Sequence, residues 1–156
     1  MIDEVLAWCG SVLGPVKALS DHTRHHPGDR TTAVCIDAPQ GVCYAKIHRT
    51  KSHWAQEVHG YEQWARAFGG FAPQLLAVRD EPPLALVVSE RPGKVLEDIE
   101  LDPDRERAVW RAAGEALVGL HELATGEHFG PCRRDGTCAE EPSGDAVEYI
   151  SAKLRN

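Results

Sequence analysis

A lysine and a glutamate are the first residues here whose placement suggests chemistry. Lys46 interrupts the apolar run "VCYAKIH" (42–48), and Glu57 lies in the segment that follows, "AQEVHGYEQWA" (55–65). Side chains alternate along an extended strand, so Val42, Tyr44, Lys46 and His48 share one face. Cys43, Ala45 and Ile47 share the other. Glu57 precedes Tyr61 by four residues and Trp64 by seven, which puts it on the helix face that turns toward the sheet. A carboxylate on a packed face needs a cation, and Lys46 is the nearest candidate in sequence. Glu62 falls near the opposite, solvated side of that helix. The competing reading makes Lys46 an edge-strand lysine of the kind that keeps sheets from aggregating, and spacing alone favours it.

Other chemistries are poorly supported. The five cysteines, Cys9, Cys35, Cys43, Cys132 and Cys138, are odd in number and show no CxxC spacing. They read as scattered thiols of a reducing compartment rather than a disulfide framework. Cys132 and Cys138 flank a charged loop, where a clipping metal or disulfide ranks below free thiols. Eight histidines include the pair His25–His26 and the set His48, His53 and His59, but there is no HExxH, and His53 and His59 point to different sides of their helix. A structural zinc is therefore not expected. No GxxxxGK[ST] loop and no GxSxG elbow are present. A formal charge of −7 without a block of like charge argues against a nucleic-acid groove or an anionic membrane surface. Basic–aromatic interleaving is also absent. No apolar run approaches a membrane span, and "MIDEVLAWCG" is not a signal peptide, so the expectation is a soluble, cytoplasmic protein.

The elements that must position Lys46 and Glu57 follow from periodicity. A short helix is expected over 2–9, a weak strand over 12–19, and a polar loop over 20–30. Strands 31–38 and 42–48 form a hairpin about the turn 39–41. A helix over 52–68 is capped by Ser52, lined on one face by Tyr61, Trp64, Ala65 and Phe68, and stopped by Gly69 and Gly70. "QLLAVR" and "LALVVSE" are strands joined by "DEPP", and "ERPGKVLED" separates this half from a helical one. There, Asp102 and Pro103 open a helix whose stripe is Val109, Ala112, Ala113, Ala116, Leu117 and Leu120, ending before Gly126. Residues 125–143 have loop composition. A last helix begins near Asp145 and Glu148, with Val147, Ile150 and Leu154 on one face. Trp8, Trp54, Trp64 and Trp110 fall on helical faces and read as packing residues. The order of elements indicates an α+β fold.

Four stretches in this order, "YAKIH", "AQEVHGYEQWA", "LALVVSERPG" and "GEALVGLHEL", resemble the N-terminal part of the aminoglycoside phosphotransferase and choline kinase-like family, of protein-kinase-like fold. The resemblance covers about 12–126. It implies a kinase-like N-lobe over 1–90, with a five-stranded antiparallel sheet and one helix. A hinge over 91–98 and the first helices of an incomplete helical C-lobe over 99–156 would follow. It further implies that Lys46 holds the α- and β-phosphates of ATP or GTP and that Glu57 fixes the lysine by an ion pair. Tyr44 would stack on adenine, and the Ser89 carbonyl and Arg91 amide would bind its edge. Leu120 and His121 match a common Leu–His pair, in which the histidine packs.

Two departures qualify the resemblance. "SDHTRHHPGDR" has no GxGxxG; Ser20 and Thr23 could donate hydrogen bonds to phosphate, but the reading as solvated loop residues is favoured. The Asp that positions the acceptor hydroxyl, the Asn five residues later and the metal-binding Asp have no match, because Glu140 follows Asp135 at that spacing and no strand comes after it. No catalytic residue and no metal ligand is therefore assigned, and the Mg²⁺ that accompanies the nucleotide would find its ligands outside this chain. The expectation is a small-molecule kinase fragment that binds nucleotide but is inactive alone, with an acceptor only in a full-length form and antibiotic resistance as its implied role. The alternative is a non-catalytic remnant or interaction module that self-associates as a homo-oligomer through an uncovered helical face.

Overall fold

The protein is described here by a computed structural model, which covers residues 1–23, 31–93, 96, 99–123, 131–139, 147 and 151. Alternation in one strand sets the architecture. In β3 (Gly41–His48), Cys43, Ala45 and Ile47 are buried on one side, while Tyr44, Lys46 and His48 occupy the other. Around it are α1 (Ile2–Leu13), β1 (Lys17–Asp21), β2 (Thr31–Ala38), α2 (Lys51–His59), β4 (Leu75–Arg79), β5 (Ala85–Ser89) and α3 (Pro103–Leu123). The strands form one antiparallel sheet in the order β1-β2-β3-β5-β4, with Lys46 opposite Ala33 on one side and Leu86 on the other.

Each sheet face has its own helix. Cys43, Ala45 and Ile47, with Ile36, Ala85 and Val87, pack on Val5 and Cys9 of α1. On the opposite face, Leu86 and Val88 pack on Trp54, Ala55 and Val58 of α2, with Tyr44 and Tyr61 at the margin. Burial pushes the Cys9 thiol up to about 11, as expected for a cysteine acting as a small apolar side chain. This five-stranded α+β arrangement is the one expected from the sequence.

Several boundaries differ. The first helix continues to Leu13, and the first strand begins at Lys17 rather than residue 12, because Val12 and Leu13 extend the helix by a further turn. The chain then turns at Gly14, whose φ is 90° and where a Cβ would stand 3.1 Å from Pro39 Cγ. Both the left-handed backbone and the close approach call for glycine.

The helix expected over 52–68 is not continuous. Thr50, not Ser52, caps it: the Thr50 hydroxyl accepts from the His53 amide at 3.5 Å. After His59 the chain makes a π-helical turn, Gly60–Trp64, closed by a bond from the Ala65 amide to the Gly60 carbonyl. A 3₁₀ segment follows, Ala65–Phe71, broken at Gly69 with φ 55° and ψ −131°.

At α3 the expected cap is present: Asp102 Oδ1 accepts from the amides of Asp104 at 3.1 Å and Arg105 at 2.9 Å. The predicted stripe is not covered, however, since α3 has no buried residue and Val109, Trp110, Leu117 and Val118 are exposed. Its contact with the body runs through Ala65–Phe71, where Gly119 faces the Ala67 carbonyl. Trp54 is a core residue as expected, whereas Trp110 is 62% exposed.

Residues 131–139 form a tight hairpin rather than a featureless loop. The Arg133 amide donates to Thr137 and the Ala139 amide to Pro131, each at 2.8 Å. His25, His26, Gly28, Gly126, Glu140, Asp145, Glu148, Ile150 and Leu154 lie outside the described residues. Val147 and Ser151, on the last expected helix, are helical. Among the described residues no helix is long and apolar enough to cross a membrane.

Candidate functional site

The β3 face toward α2 carries charge where the rest of that face is apolar. Lys46 Nζ is hydrogen-bonded to Glu57 Oε1, with both side chains about a quarter exposed, at 28% and 23%. The other carboxylate oxygen, Oε2, lies 3.1 Å from Nε2 of His48, at ion-pair distance but off the ring N–H direction. The His48 ring is 1% exposed, and its Nδ1 is 3.3 Å from the Thr31 hydroxyl across the β2–β3 ladder. Glu57 is therefore held from both sides by residues two apart on one strand.

His48 is a member of this cluster that sequence reasoning left out of the site. The signal was available, since His48 shares the Lys46 face, but histidine type alone does not distinguish a packed ring from a carboxylate partner.

Burial by itself would raise the Glu57 carboxyl. The His48 ring beside it and the bond and charge of Lys46 outweigh that effect and hold it below the usual carboxylate value of 4.5. The sign for stability follows directly. A carboxylate with a depressed folded pKa contributes above its unfolded value, and that contribution is lost as pH falls through the folded one. The thermal midpoint is thus expected to fall with acidification below pH 4.5, and Glu57→Gln should flatten that limb. An unchanged acid limb would mean the cluster does not couple to folding.

The other candidate residues have partners of their own. Tyr44 lies two residues before Lys46 on the same face, edge-on to His22, with ring centroids 5.4 Å apart and planes at 83°. Burial pushes its phenol up. Ser20 and Thr23 have local partners: the Ser20 hydroxyl lies 2.8 Å from His22 Nε2, and the Thr23 hydroxyl accepts from the Ala33 amide at 3.2 Å.

Ser89 ends β5 opposite Cys43. Its amide donates to the Gln74 carbonyl, and its hydroxyl accepts from the Gln74 amide, both at 2.9 Å. Arg91 Nε donates to the Ala72 carbonyl at 2.7 Å. These bonds tie the segment after β5 to residues 72–74 and involve neither the Ser89 carbonyl nor the Arg91 amide. Lys46 and Glu57 are in contact and Tyr44 shares their strand face, whereas the bonds of Ser89 and Arg91 run to Gln74 and Ala72.

Glu57 also lines an apolar cleft of about 480 Å³, with Gly60, Tyr61, Trp64, Ala65, Phe68, Phe71, Ala72, Pro73 and Leu120. The cleft opens between the continuation of α2 and α3. Tyr61, Trp64, Ala65 and Phe68 do share one face, as their spacing suggests, although the backbone there is π and 3₁₀. Lys46 adjoins the cleft through Glu57, so the charged cluster stands at an apolar rim.

On the outer side of α2, the hairpin 131–139 docks through Arg134. Its guanidinium reaches Glu62 at 2.6 Å and Asp80 at 2.9 Å and lies 5.7 Å from the Trp54 ring centroid. The bond to Glu62, with Asp80 nearby, raises the guanidinium further. The Arg134 carbonyl accepts from Nδ1 of His59 at 2.9 Å, so that nitrogen carries the proton. Asp135 closes its own turn by accepting from the Thr137 hydroxyl at 2.7 Å and amide at 3.0 Å, which depresses its carboxyl. That role suits a turn residue rather than a catalytic base. Among the described residues no group of three or more His, Cys, Asp or Glu side chains could hold a metal ion.

Residues 28–155 match the model of a family described as the phosphotransferase enzyme family. Among solved structures, the crystal structure of aminoglycoside phosphotransferase APH(4)-Ia is similar with a TM-score of 0.68 at 16% identity, over 99% of this chain and 50% of that one. A thermostable mutant of APH(4)-Ia, in a ternary complex with ADP and hygromycin B, gives 0.64 at 17% identity, over 97% of this chain and 50% of that one. At such identity the likeness is one of fold, and this chain spans about half the length of either structure. No curated protein sequence matches it.

Proposed function

This chain belongs to the phosphotransferase enzyme family, and from that premise we propose that it forms the nucleotide-binding lobe of a kinase that acts on a small-molecule hydroxyl. The observation that supports this most is the cluster of Lys46, Glu57 and His48 on an otherwise apolar sheet face. An ammonium fixed by a carboxylate is a preorganised positive point for the α- and β-phosphates of ATP or GTP, and phosphoryl transfer depends chiefly on such positioning and charge. Tyr44 offers a ring for the purine, and the Ser89 carbonyl and Arg91 amide offer main-chain groups for its edge.

Mg²⁺ would neutralise phosphate charge in the complete reaction. The described residues bring together no set of donors suited to it. What this chain's residues do is bind and orient: Lys46 anchors phosphate, and Glu57 and His48 hold Lys46.

A neighbour of the same fold holds ADP and hygromycin B together, which favours an aminoglycoside-class acceptor in a protein that carries the remaining half of the fold. Antibiotic resistance and a cytoplasmic location, where nucleotide is supplied, follow from that reading. A second reading, a self-associating module that keeps the lobe's shape, is favoured by the exposed Val109, Trp110, Leu117 and Val118 of α3.

Thermal denaturation with Mg·ATP and Mg·GTP separates the two. Saturation at about a hundred times Kd stabilises by about 2.7 kcal/mol. For a chain of this size that is a rise of roughly 5–10 °C. No rise with either nucleotide at millimolar concentration, together with a dimer in light scattering, would replace the first reading by the second. Phosphorylation of an acceptor is not expected from these residues by themselves.

A further inference from the structure

We propose that Cys132 and Cys138 form a redox-modification site, a dithiol that closes to an intramolecular disulfide by exchange with a small disulfide such as glutathione disulfide. The two residues face each other across the hairpin as an antiparallel pair, and both are free thiols. Hydrogen bonds flank them on each side, Arg133 to Thr137 and Ala139 to Pro131, so the pair occupies a non-hydrogen-bonded position. At such positions the Cα atoms stand about 4.5 Å apart and the side chains lie closest. That spacing falls inside the range of about 4.4–6.8 Å that a disulfide tolerates. The other three cysteines, Cys9, Cys35 and Cys43, are buried, whereas Cys132 and Cys138 are partly exposed.

Contacts outside the hairpin also hold the pair in place. Arg134 grips Glu62 and Asp80, and its carbonyl accepts from His59 at the end of α2. The turn passes through Gly136 at φ 84°, where a Cβ would come within 2.9 Å of the His59 ring. The hairpin thus presents its thiols preorganised, and it is anchored to the helix that carries Glu57.

The chemistry balances without a metal. One thiolate attacks glutathione disulfide, forms a mixed disulfide and expels one glutathione thiolate. The second thiolate attacks the protein sulfur and expels the other. Two protein thiols are oxidised by two electrons, one glutathione disulfide is reduced to two thiols, and the protons move to glutathione. Burial pushes the Cys132 thiol up, so exchange should accelerate as pH rises above neutral.

The test equilibrates the full chain in glutathione buffers, quenches with acid, alkylates and maps peptides by mass. At equal thiol and disulfide, tryptic fragments from either side of Arg134 should stay joined and be two hydrogens lighter, and dithiothreitol should separate them. Cys138→Ser should instead accumulate glutathione on Cys132. Cys9, Cys35 and Cys43 should alkylate only after unfolding. Stable glutathione adducts on both Cys132 and Cys138 of the unaltered chain, or a bond from either to a third cysteine, would overturn the proposal. Amide exchange in α2 should slow on oxidation, and unchanged exchange there would overturn the link to the Glu57 helix. None of these readouts needs nucleotide, so the proposal stands or falls apart from the phosphotransferase reading.

Discussion

Replacing Lys46 with methionine is expected to cut the nucleotide-induced rise in thermal midpoint by about half or more while the ligand-free chain stays folded. Methionine keeps an unbranched stem of similar length and removes only the ammonium. Hydrogen bonds to charged groups contribute about 1.5–3 kcal/mol each, so loss of the phosphate anchor should weaken binding roughly 10- to 150-fold. Folding is preserved because Glu57 is not orphaned: His48 still faces its second oxygen at 3.1 Å. Glu57→Gln should cost less affinity, since an amide still accepts from Lys46 but no longer fixes it by charge. His48→Leu should fall between unaltered and Lys46→Met, because Glu57 is then held from one side only. Isothermal titration with Mg·ATP measures all three. If Lys46→Met binds as tightly as the unaltered chain, this ion pair is not the phosphate anchor.

The largest effect on stability is expected at Trp54. Trp54→Ala should lower the unfolding free energy by about 3–5 kcal/mol in urea denaturation, the range for truncating a buried large aromatic. The ring is 4% exposed, between Leu86 and Val88 of the sheet and the body of α2. Its indole N–H donates to the Ala85 carbonyl at 3.3 Å, and the Arg134 guanidinium stands 5.7 Å from the ring centroid. Truncation therefore empties the α2-side core and removes the surface against which the hairpin docks. Trp54→Phe should recover most of the loss, because the core is refilled and one hydrogen bond is missing. A loss below about 1 kcal/mol for the alanine variant would mean that the hairpin and α2 collapse into the space.

The sheet was legible in the sequence for a physical reason, whereas spacing alone favoured an edge-strand Lys46 and its pairing with Glu57 rested on the family resemblance. Period-two alternation in 42–48 and the four- and seven-residue spacing from Glu57 to two aromatics both report which face is packed. The departures arise where the same pattern fits more than one backbone. Tyr61, Trp64, Ala65 and Phe68 would line a face of a plain α-helix as well as they line the π and 3₁₀ segments that exist. Thr50 and Ser52 are both competent caps, and only the extended backbone at Thr50 selects it. The pairing of Cys132 with Cys138 depends on a turn at Gly136, anchored by contacts to His59, Glu62 and Asp80 from distant parts of the chain. Charge spacing within 131–139 carries no trace of those partners. The stripe on α3 was read correctly as apolar, but periodicity cannot say whether another surface covers it.

The π-turn at Gly60–Trp64 acts as a length buffer. Its closing bond encloses one more residue than an α-turn does, so excising a single residue there would let the segment close as α-helix with the chain beyond it still in phase. Ala65 and Phe68 would stay on the cleft wall, and the side chains inside the turn, Tyr61 and Trp64 among them, would shift. Lys46, His48 and Glu57, all upstream, would keep their places. Indels at this point would therefore reshape the apolar wall without disturbing the charged cluster, which lets the two halves of the pocket diverge separately.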